Sequence, residues 1–164
     1  MIYIFLDIDG VLNCDTTKER CHGMLGIDPE KVLLLKHIVD ETGAQIVLSS
    51  TWKYGWEPVK KQLNDEFADY LDKALSDAGL KAIGKTDDEG YDRGQGIIEY
   101  LAQHPADAWI VLDDNIFNDF KRLGICEHLL LTDFEDEGLT YSLTEQAINM
   151  IQDQLKYDLS YETI

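Results

Sequence analysis

The 164-residue sequence lacks the features that mark several large classes of protein. No apolar run approaches the ~20 residues that a transmembrane helix needs. The 3 cysteines, Cys14, Cys21 and Cys126, follow neither a disulfide nor a zinc-site spacing, which is typical of a reduced compartment. The chain has no basic lead and reaches Asp7 early, so we expect no signal peptide and a cytoplasmic protein.

Basic residues are also scarce, with 14 Lys and Arg against 32 Asp and Glu and a formal net charge of -18. A field of this sign repels nucleic-acid phosphates and anionic membrane surfaces. We therefore expect no membrane partner and no extended nucleic-acid binding, while the oligomeric state stays open. Because 45% of the residues are hydrophobic and no repeat or linker divides the chain, residues 1–164 are predicted to form one domain.

Apolar runs alternate with segments of helical spacing along the chain. Strands are predicted at residues 2–6, 44–48, 80–83, 108–112 and 129–131. Helices are predicted from Asp28-Pro29 to Gly43, over about 57–78, 94–103 and 116–123, and after the capping box Ser142-x-x-Glu145, with an acidic loop over 84–91. This alternation predicts an α/β fold with a central parallel sheet that is covered on both faces.

Polar residues directly follow three of the predicted strands. In a parallel sheet these positions meet at one edge, outside the carboxyl ends of the strands, where ligands bind. The residues are Asp7 and Asp9 after the first strand, Ser49 and Ser50 after the second, and Asp113 and Asp114 after the fourth.

Four carboxylates at one edge repel one another unless a cation lies among them. Mg²⁺ prefers oxygen ligands and binds one or two carboxylates together with water and substrate phosphate. A carboxylate can attack phosphorus, and a second one, two residues along, can protonate the leaving oxygen. The glycine that follows, Gly10, lets the backbone approach a ligand closely. These residues predict phosphoryl-transfer chemistry.

The first motif of the haloacid dehalogenase (HAD) superfamily resembles the segment Asp7-Ile8-Asp9-Gly10-Val11-Leu12-Asn13. Its second and fourth motifs resemble Ile46-Val47-Leu48-Ser49-Ser50 and Ile110-Val111-Leu112-Asp113-Asp114. With Thr51-Trp52, Arg93-Gly94 and Gly138-Leu139-Thr140, the chain is similar to the small HAD domains of RNA-repair proteins and to the 3′-phosphatase domain of polynucleotide kinases. The resemblance implies a three-layer, Rossmann-like core. It is uncapped or minimally capped, because residues 13–27 are too few for more than a flap.

The resemblance also implies a role for each site residue. Asp7 is the nucleophile and a Mg²⁺ ligand, and Asp9 is the general acid and base and offers its backbone carbonyl to the metal. Asp113 and Asp114 complete the metal site. Ser49, Ser50, Gly10 and Arg93 bind phosphate, with Lys85 as the alternative to Arg93 for the third-motif cation. The roles of Asn13, Thr51 and Trp52 stay open.

The implied activity is a Mg²⁺-dependent phosphatase that forms an aspartyl-phosphate and acts on a nucleotide or a polynucleotide 3′-phosphate. One alternative is a small-metabolite phosphatase or 5′-nucleotidase, and another is a HAD-fold binding protein without turnover. A basic patch of Lys53, Lys60, Lys61 and Arg93 would favour a nucleic-acid end. Trp52, Tyr54 and Trp56 are consistent with stacking on a flat substrate or with core packing.

Overall fold

The computed structural model of the protein describes residues 1–59, 65–88 and 91–161, with side chains as far as residue 157. The strands in this range are β1 (Ile2–Leu6), β2 (Arg20–Cys21), β3 (Met24–Leu25), β4 (Gln45–Leu48), β5 (Ala82–Lys85), β6 (Ala108–Asp113) and β7 (Leu129–Leu131). The helices are α1 (Pro29–Thr42), α2 (Glu66–Ser76), α3 (Arg93–Gln103) and α4 (Tyr141–Tyr161). None of the helices in these ranges has the length and apolarity of a membrane span.

Five strands form one parallel sheet in the order β5-β4-β1-β6-β7. Successive side chains of a strand point to opposite faces, so the apolar run of β1 serves two cores. Ile4 and Leu6 pack in the larger core with α1, α2 and α4, whereas Phe5 packs in the smaller core with Ile97 of α3. The predicted three-layer α/β fold with a central parallel sheet is confirmed.

Helix α1 begins and ends where the sequence predicts. The side chain of Asp28 accepts a hydrogen bond from the backbone N–H of Glu30 at 3.0 Å, and Pro29 is the first helical residue. Gly43 ends the helix in the left-handed conformation at φ 70°, and its N–H donates to the carbonyl of Val39. These local signals are enough to predict both ends of α1, because each one involves residues within a single turn of the helix.

Other predicted boundaries are wrong. The helix predicted over 57–78 covers Glu66–Ser76, because Asp65 caps it; residues 57–59 are not helical, and 60–64 lie outside the described residues. The strand predicted at 80–83 is β5, which spans Ala82–Lys85. The predicted loop over 84–91 therefore begins only after Lys85, and its residues 89–90 lie outside the described residues. Helix α4 begins at Tyr141, since the hydroxyl of Thr140, not that of Ser142, accepts from the Leu143 N–H at 3.2 Å.

The segment 116–123 forms turns from residue 118 onward and is not the predicted helix. Its apolar spacing is helical, but Phe120 is fully buried in the smaller core, and the side chain of Asp119 binds another element. Residues 13–27 contain the short antiparallel hairpin of β2 and β3. This hairpin is the minimal flap that the sequence predicts.

Helix α3 is capped by a residue that is distant in sequence. The Asp119 carboxylate accepts hydrogen bonds from the N–H groups of Gly94 at 3.1 Å and Gln95 at 2.9 Å. Asp92, which directly precedes the helix, forms no side-chain cap. A Cβ on Gly94 would lie 2.7 Å from Asp119 Oδ1, so the contact requires glycine. Asp119 therefore fixes the first turn of α3, and Arg93 with it.

We expect Asp119→Ala to lower the free energy of unfolding by about 1–2 kcal/mol, the contribution of a helix cap. Urea denaturation measures this loss. Asp92→Ala is the matched control, because it removes a carboxylate from the same helix end where no cap is made, and it should cost less than about 0.5 kcal/mol. Equal losses in the two variants would contradict the assignment of the cap.

Candidate active site

The polar residues predicted at the carboxyl edge of the sheet are adjacent in the structure. The Asp7 N–H donates to the carbonyl of Leu112 on β6 at 2.9 Å, and the Ser49 N–H donates to the carbonyl of Leu6 at 3.0 Å. Both bonds extend the strand pairing by one residue beyond β1 and β4. Asp113, as the last residue of β6, lies at the same edge.

Three carboxylates form a cluster at this edge. Oxygen atoms of Asp7, Asp113 and Asp114 all lie within 4.8 Å of one another. Gly10 makes room for Asp114, because a Cβ at that position would lie 2.1 Å from Asp114 Oδ2, and Gly10 has φ +83°. A compact group of carboxylate oxygens is the donor set that a hard divalent cation prefers. The Asp9 side chain is not part of this cluster.

The cluster is electrostatically unfavourable on its own. Burial, together with the charge of Asp113, raises the pKa of Asp7 to about 7. Burial is also the main reason why the pKa values of Asp113 and Asp114 are raised. Each shift records the cost of placing negative charge in a desolvated site, which a cation offsets.

Arg93 lies between two of these carboxylates. Its Nη1 is 2.7 Å from Asp113 Oδ2 and 3.2 Å from Asp7 Oδ1, and its guanidinium lies 4.3 Å from the centre of the Phe117 ring. Burial alone would lower the pKa of Arg93, but the charges of Asp7 and Asp113 outweigh it and raise this pKa. Lys85, the alternative cation, instead donates to the Trp56 carbonyl at 2.7 Å and lies 3.3 Å from Glu57.

Two buried polar atoms at this edge have no hydrogen-bond partner among the described residues. They are Ser49 Oγ, whose residue is fully buried, and Arg93 Nε. Ser50 differs from Ser49, because its hydroxyl accepts from the Trp52 N–H at 3.2 Å and also bonds to Asp7. Unpaired buried polar groups are costly, so both atoms are available to a ligand with acceptor oxygens.

Asp9 is held by two residues whose roles the sequence leaves open. The Asn13 amide donates to Asp9 Oδ1 at 2.8 Å, and the Trp52 indole N–H donates to Asp9 Oδ2 at 3.1 Å. Asn13 also accepts from the Gly10 N–H and donates to the Gly26 carbonyl, both at 2.9 Å. These contacts fix the loop after β1 and orient its exposed carboxylate.

The predicted basic patch is wrong at Lys53. This side chain is buried and donates to the Thr86 hydroxyl at 2.9 Å and to the Asp88 carboxylate. Lys60 and Lys61 lie outside the described residues. Arg93 is buried among the carboxylates, so neither of the two described patch residues is a surface cation.

A cavity of about 520 Å³ lies beside Asp9. Trp52 and Tyr54 line it together with Phe67 of α2 and Met24 of the hairpin. Trp56, the third aromatic residue of this segment, is buried in the larger core and donates its indole N–H to Asp72 at 2.9 Å. Each of the two alternatives therefore applies to different residues. Trp56 packs in the core, whereas Trp52 and Tyr54 border an open space where a flat substrate could stack.

Comparison with protein families matches residues 3–142 to the HAD domain in Swiss Army Knife RNA repair proteins. Comparisons with curated proteins and with solved structures find no match. The matched range runs from β1 to the start of α4 and includes the acidic cluster, Ser49 and Arg93. The chain belongs to this HAD family, and it is a hydrolase domain of the HAD kind.

Proposed function

We propose that this protein is a Mg²⁺-dependent phosphomonoester hydrolase that forms an aspartyl-phosphate on Asp7. The observation that carries the proposal is the cluster of the buried Asp7 and Asp113 with the more exposed Asp114, and Arg93 against the two buried carboxylates. It combines a carboxylate nucleophile, oxygen ligands for a cation and a fixed positive charge. Phosphoryl transfer depends mainly on such positioning and charge neutralisation.

The donor set suits Mg²⁺, since all the clustered atoms are carboxylate oxygens. Asp7, Asp113 and Asp114 would hold the ion, together with the backbone carbonyl of Asp9. When bound, Mg²⁺ neutralises charge on the phosphoryl oxygens and orients the phosphate for attack.

The side chains then act in two steps. A carboxylate oxygen of Asp7 attacks phosphorus, the bond to the leaving oxygen breaks, and Asp9 donates a proton to that oxygen. Asp9 next takes a proton from water, whose oxygen attacks the phosphorus, and the Asp7–phosphate bond breaks to release phosphate. Ser49, Ser50 and Arg93 hold the phosphoryl oxygens throughout.

The substrate in this proposal is a phosphomonoester such as a nucleotide. A polynucleotide 3′-phosphate receives less support, because the inward orientation of Lys53 removes one cation of the expected patch. A small-metabolite phosphatase or 5′-nucleotidase is the second candidate, favoured by the cavity of small-molecule size beside Asp9. The complete cluster and the unpaired Ser49 hydroxyl argue against a binding protein without turnover.

Two further proposals concern the whole chain. We propose that residues 1–164 form a single domain. The family match over residues 3–142 and the two cores on the faces of one sheet support this proposal. A cytoplasmic location agrees with the free thiols of Cys14, Cys21 and Cys126.

Asp7→Asn should abolish hydrolysis of p-nitrophenyl phosphate in the presence of Mg²⁺, because an amide does not attack phosphorus. Steady-state release of p-nitrophenol measures the rate, with an expected loss of at least about 1,000-fold. Asp40→Asn is the control: Asp40 pairs with Lys36 on the surface of α1, and the variant should retain the wild-type rate. Equal rates in Asp7→Asn and wild type would exclude the mechanism.

Millimolar Mg²⁺ should raise the melting temperature of the wild-type protein by several degrees, because an ion that binds only the folded state stabilises it. Asp114→Asn removes one proposed ligand and should reduce this shift. The nearby Asp133→Asn serves as the control, since Asp133 is outside the cluster. Thermal unfolding at matched ionic strength gives the comparison, and an unchanged shift in Asp114→Asn would contradict its role as a ligand.

Trp52→Phe should impair the proton donation assigned to Asp9 while it keeps the aromatic ring. Alkyl phosphates need this proton more than p-nitrophenyl phosphate, whose leaving group is a weak base. We expect kcat to fall about tenfold for an alkyl phosphate and less than about threefold for the aryl ester.

Trp56→Phe is the matched control for this experiment. It also removes an indole N–H that donates to a carboxylate, but that carboxylate is Asp72 and not Asp9. Its ratio of alkyl to aryl turnover should equal that of the wild type. A proportional loss on both esters in Trp52→Phe would show that the indole N–H affects stability or folding and does not orient the acid.

A further inference from the structure

We infer that the cavity beside Asp9 binds a flat aromatic group on the alcohol side of the phosphomonoester. This inference rests on the proposed function and adds the chemical class of the leaving group. The relevant group is a ring that is carried by the leaving oxygen, whether it is an aryl ring or a nucleobase.

The position of Asp9 links the cavity to the reaction. Asp9 lines the cavity, and its side chain delivers a proton to the leaving oxygen in the proposed mechanism. The leaving oxygen must therefore come within hydrogen-bond distance of Asp9. Whatever that oxygen carries is then placed at the mouth of the cavity. The volume of about 520 Å³ is within the range of small-molecule sites, ~300–1,000 Å³.

Four of the nine described lining residues are aromatic, and two of them, Trp52 and Phe67, pack against each other. The rings of Trp52 and Phe67 have centroids 6.0 Å apart at an interplanar angle of 86°, and the Trp52 ring also lies 6.2 Å from that of Tyr70. The hydrogen bond from the indole to Asp9 fixes the orientation of Trp52. Rigid aromatic walls favour a flat apolar ligand over a small polyol.

Charge restricts the ligand further. The described residues of the lining include two carboxylates, Asp9 and Asp65, and no Lys or Arg. The position of Asp65 is fixed because it caps α2: its side chain accepts a hydrogen bond from the Phe67 N–H at 2.8 Å. The described part of the lining thus offers no cation to a second anionic group, and on this basis the ester that we infer carries one phosphate and an otherwise uncharged ring.

The experiment compares KM for ring-bearing and ringless monoesters in wild type and Phe67→Ala. Phe67 is suitable because it lines the cavity and is not among the groups that bind Asp9. The esters are benzyl phosphate, nucleoside 3′- and 5′-monophosphates, and glycerol 2-phosphate. Benzyl phosphate tests an aryl ring, and the two nucleotides test a base at different distances from the phosphate.

We expect wild type to have a lower KM for at least one ring-bearing ester than for glycerol 2-phosphate, and Phe67→Ala to reduce this preference about tenfold. Tyr141→Ala, which removes an exposed ring on α4, should keep the wild-type preference. Equal KM values for ring-bearing and ringless esters in wild type, or an unchanged preference in Phe67→Ala, would overturn the inference.

Direct binding separates this inference from the proposed function. Adenosine and benzyl alcohol lack phosphate, and calorimetric titration of each into wild type and Phe67→Ala tests the cavity without turnover. If no ester is hydrolysed but a ring-bearing alcohol binds wild type more tightly than Phe67→Ala, the proposed function fails and the assignment of the cavity stands. If esters are hydrolysed without any effect of the ring, the cavity assignment fails alone.

Discussion

The carboxyl edge of the sheet depends on the balance between Asp7, Asp113 and Arg93. Two buried carboxylates repel each other, and the guanidinium at 3.2 Å and 2.7 Å offsets that repulsion. Arg93 occupies this place because it is the first residue of α3, and α3 starts there because Asp119 binds its first free N–H groups. The electrostatics of the site thus depend on a helix cap supplied by the segment that follows β6.

The sequence predicts the site because its main elements carry local signals. β1 is a continuous apolar run that ends at a carboxylate, and parallel pairing brings the ends of β1, β4 and β6 to one edge. That reasoning needs the order of elements and not their exact bounds. The displaced starts of α2, β5 and α4 therefore do not affect which polar residues meet.

The contacts that sequence reasoning misses join residues that are far apart in the chain. Trp52 reaches Asp9 across 43 positions, and Asp119 reaches Gly94 across 25. A spacing rule detects neighbours within a few turns, so it does not find the cap that Asp119 supplies, and it makes the segment 116–123 resemble a helix. The prediction that Lys53 belongs to an exposed basic patch is wrong for a related reason. Its side chain is buried and forms an ion pair with Asp88, which is 35 positions away in the sequence. Only the tertiary structure distinguishes these cases.

The net charge of -18 and the proposed affinity for phosphate are compatible because they act over different ranges. Surface charge is screened over about 8 Å at physiological ionic strength, whereas buried groups are screened much less. In the proposed mechanism, a bound cation and Arg93 would therefore dominate the electrostatics at the reacting phosphate. A second phosphate on the substrate would lie farther from the cation and from Arg93, on the side of the cavity. The described residues of the cavity lining include Asp9 and Asp65 and no basic residue. Under the proposed function, the site would thus accept one phosphate at Asp7 and not a polyanion, and the aromatic residues of the cavity would supply affinity that charge does not.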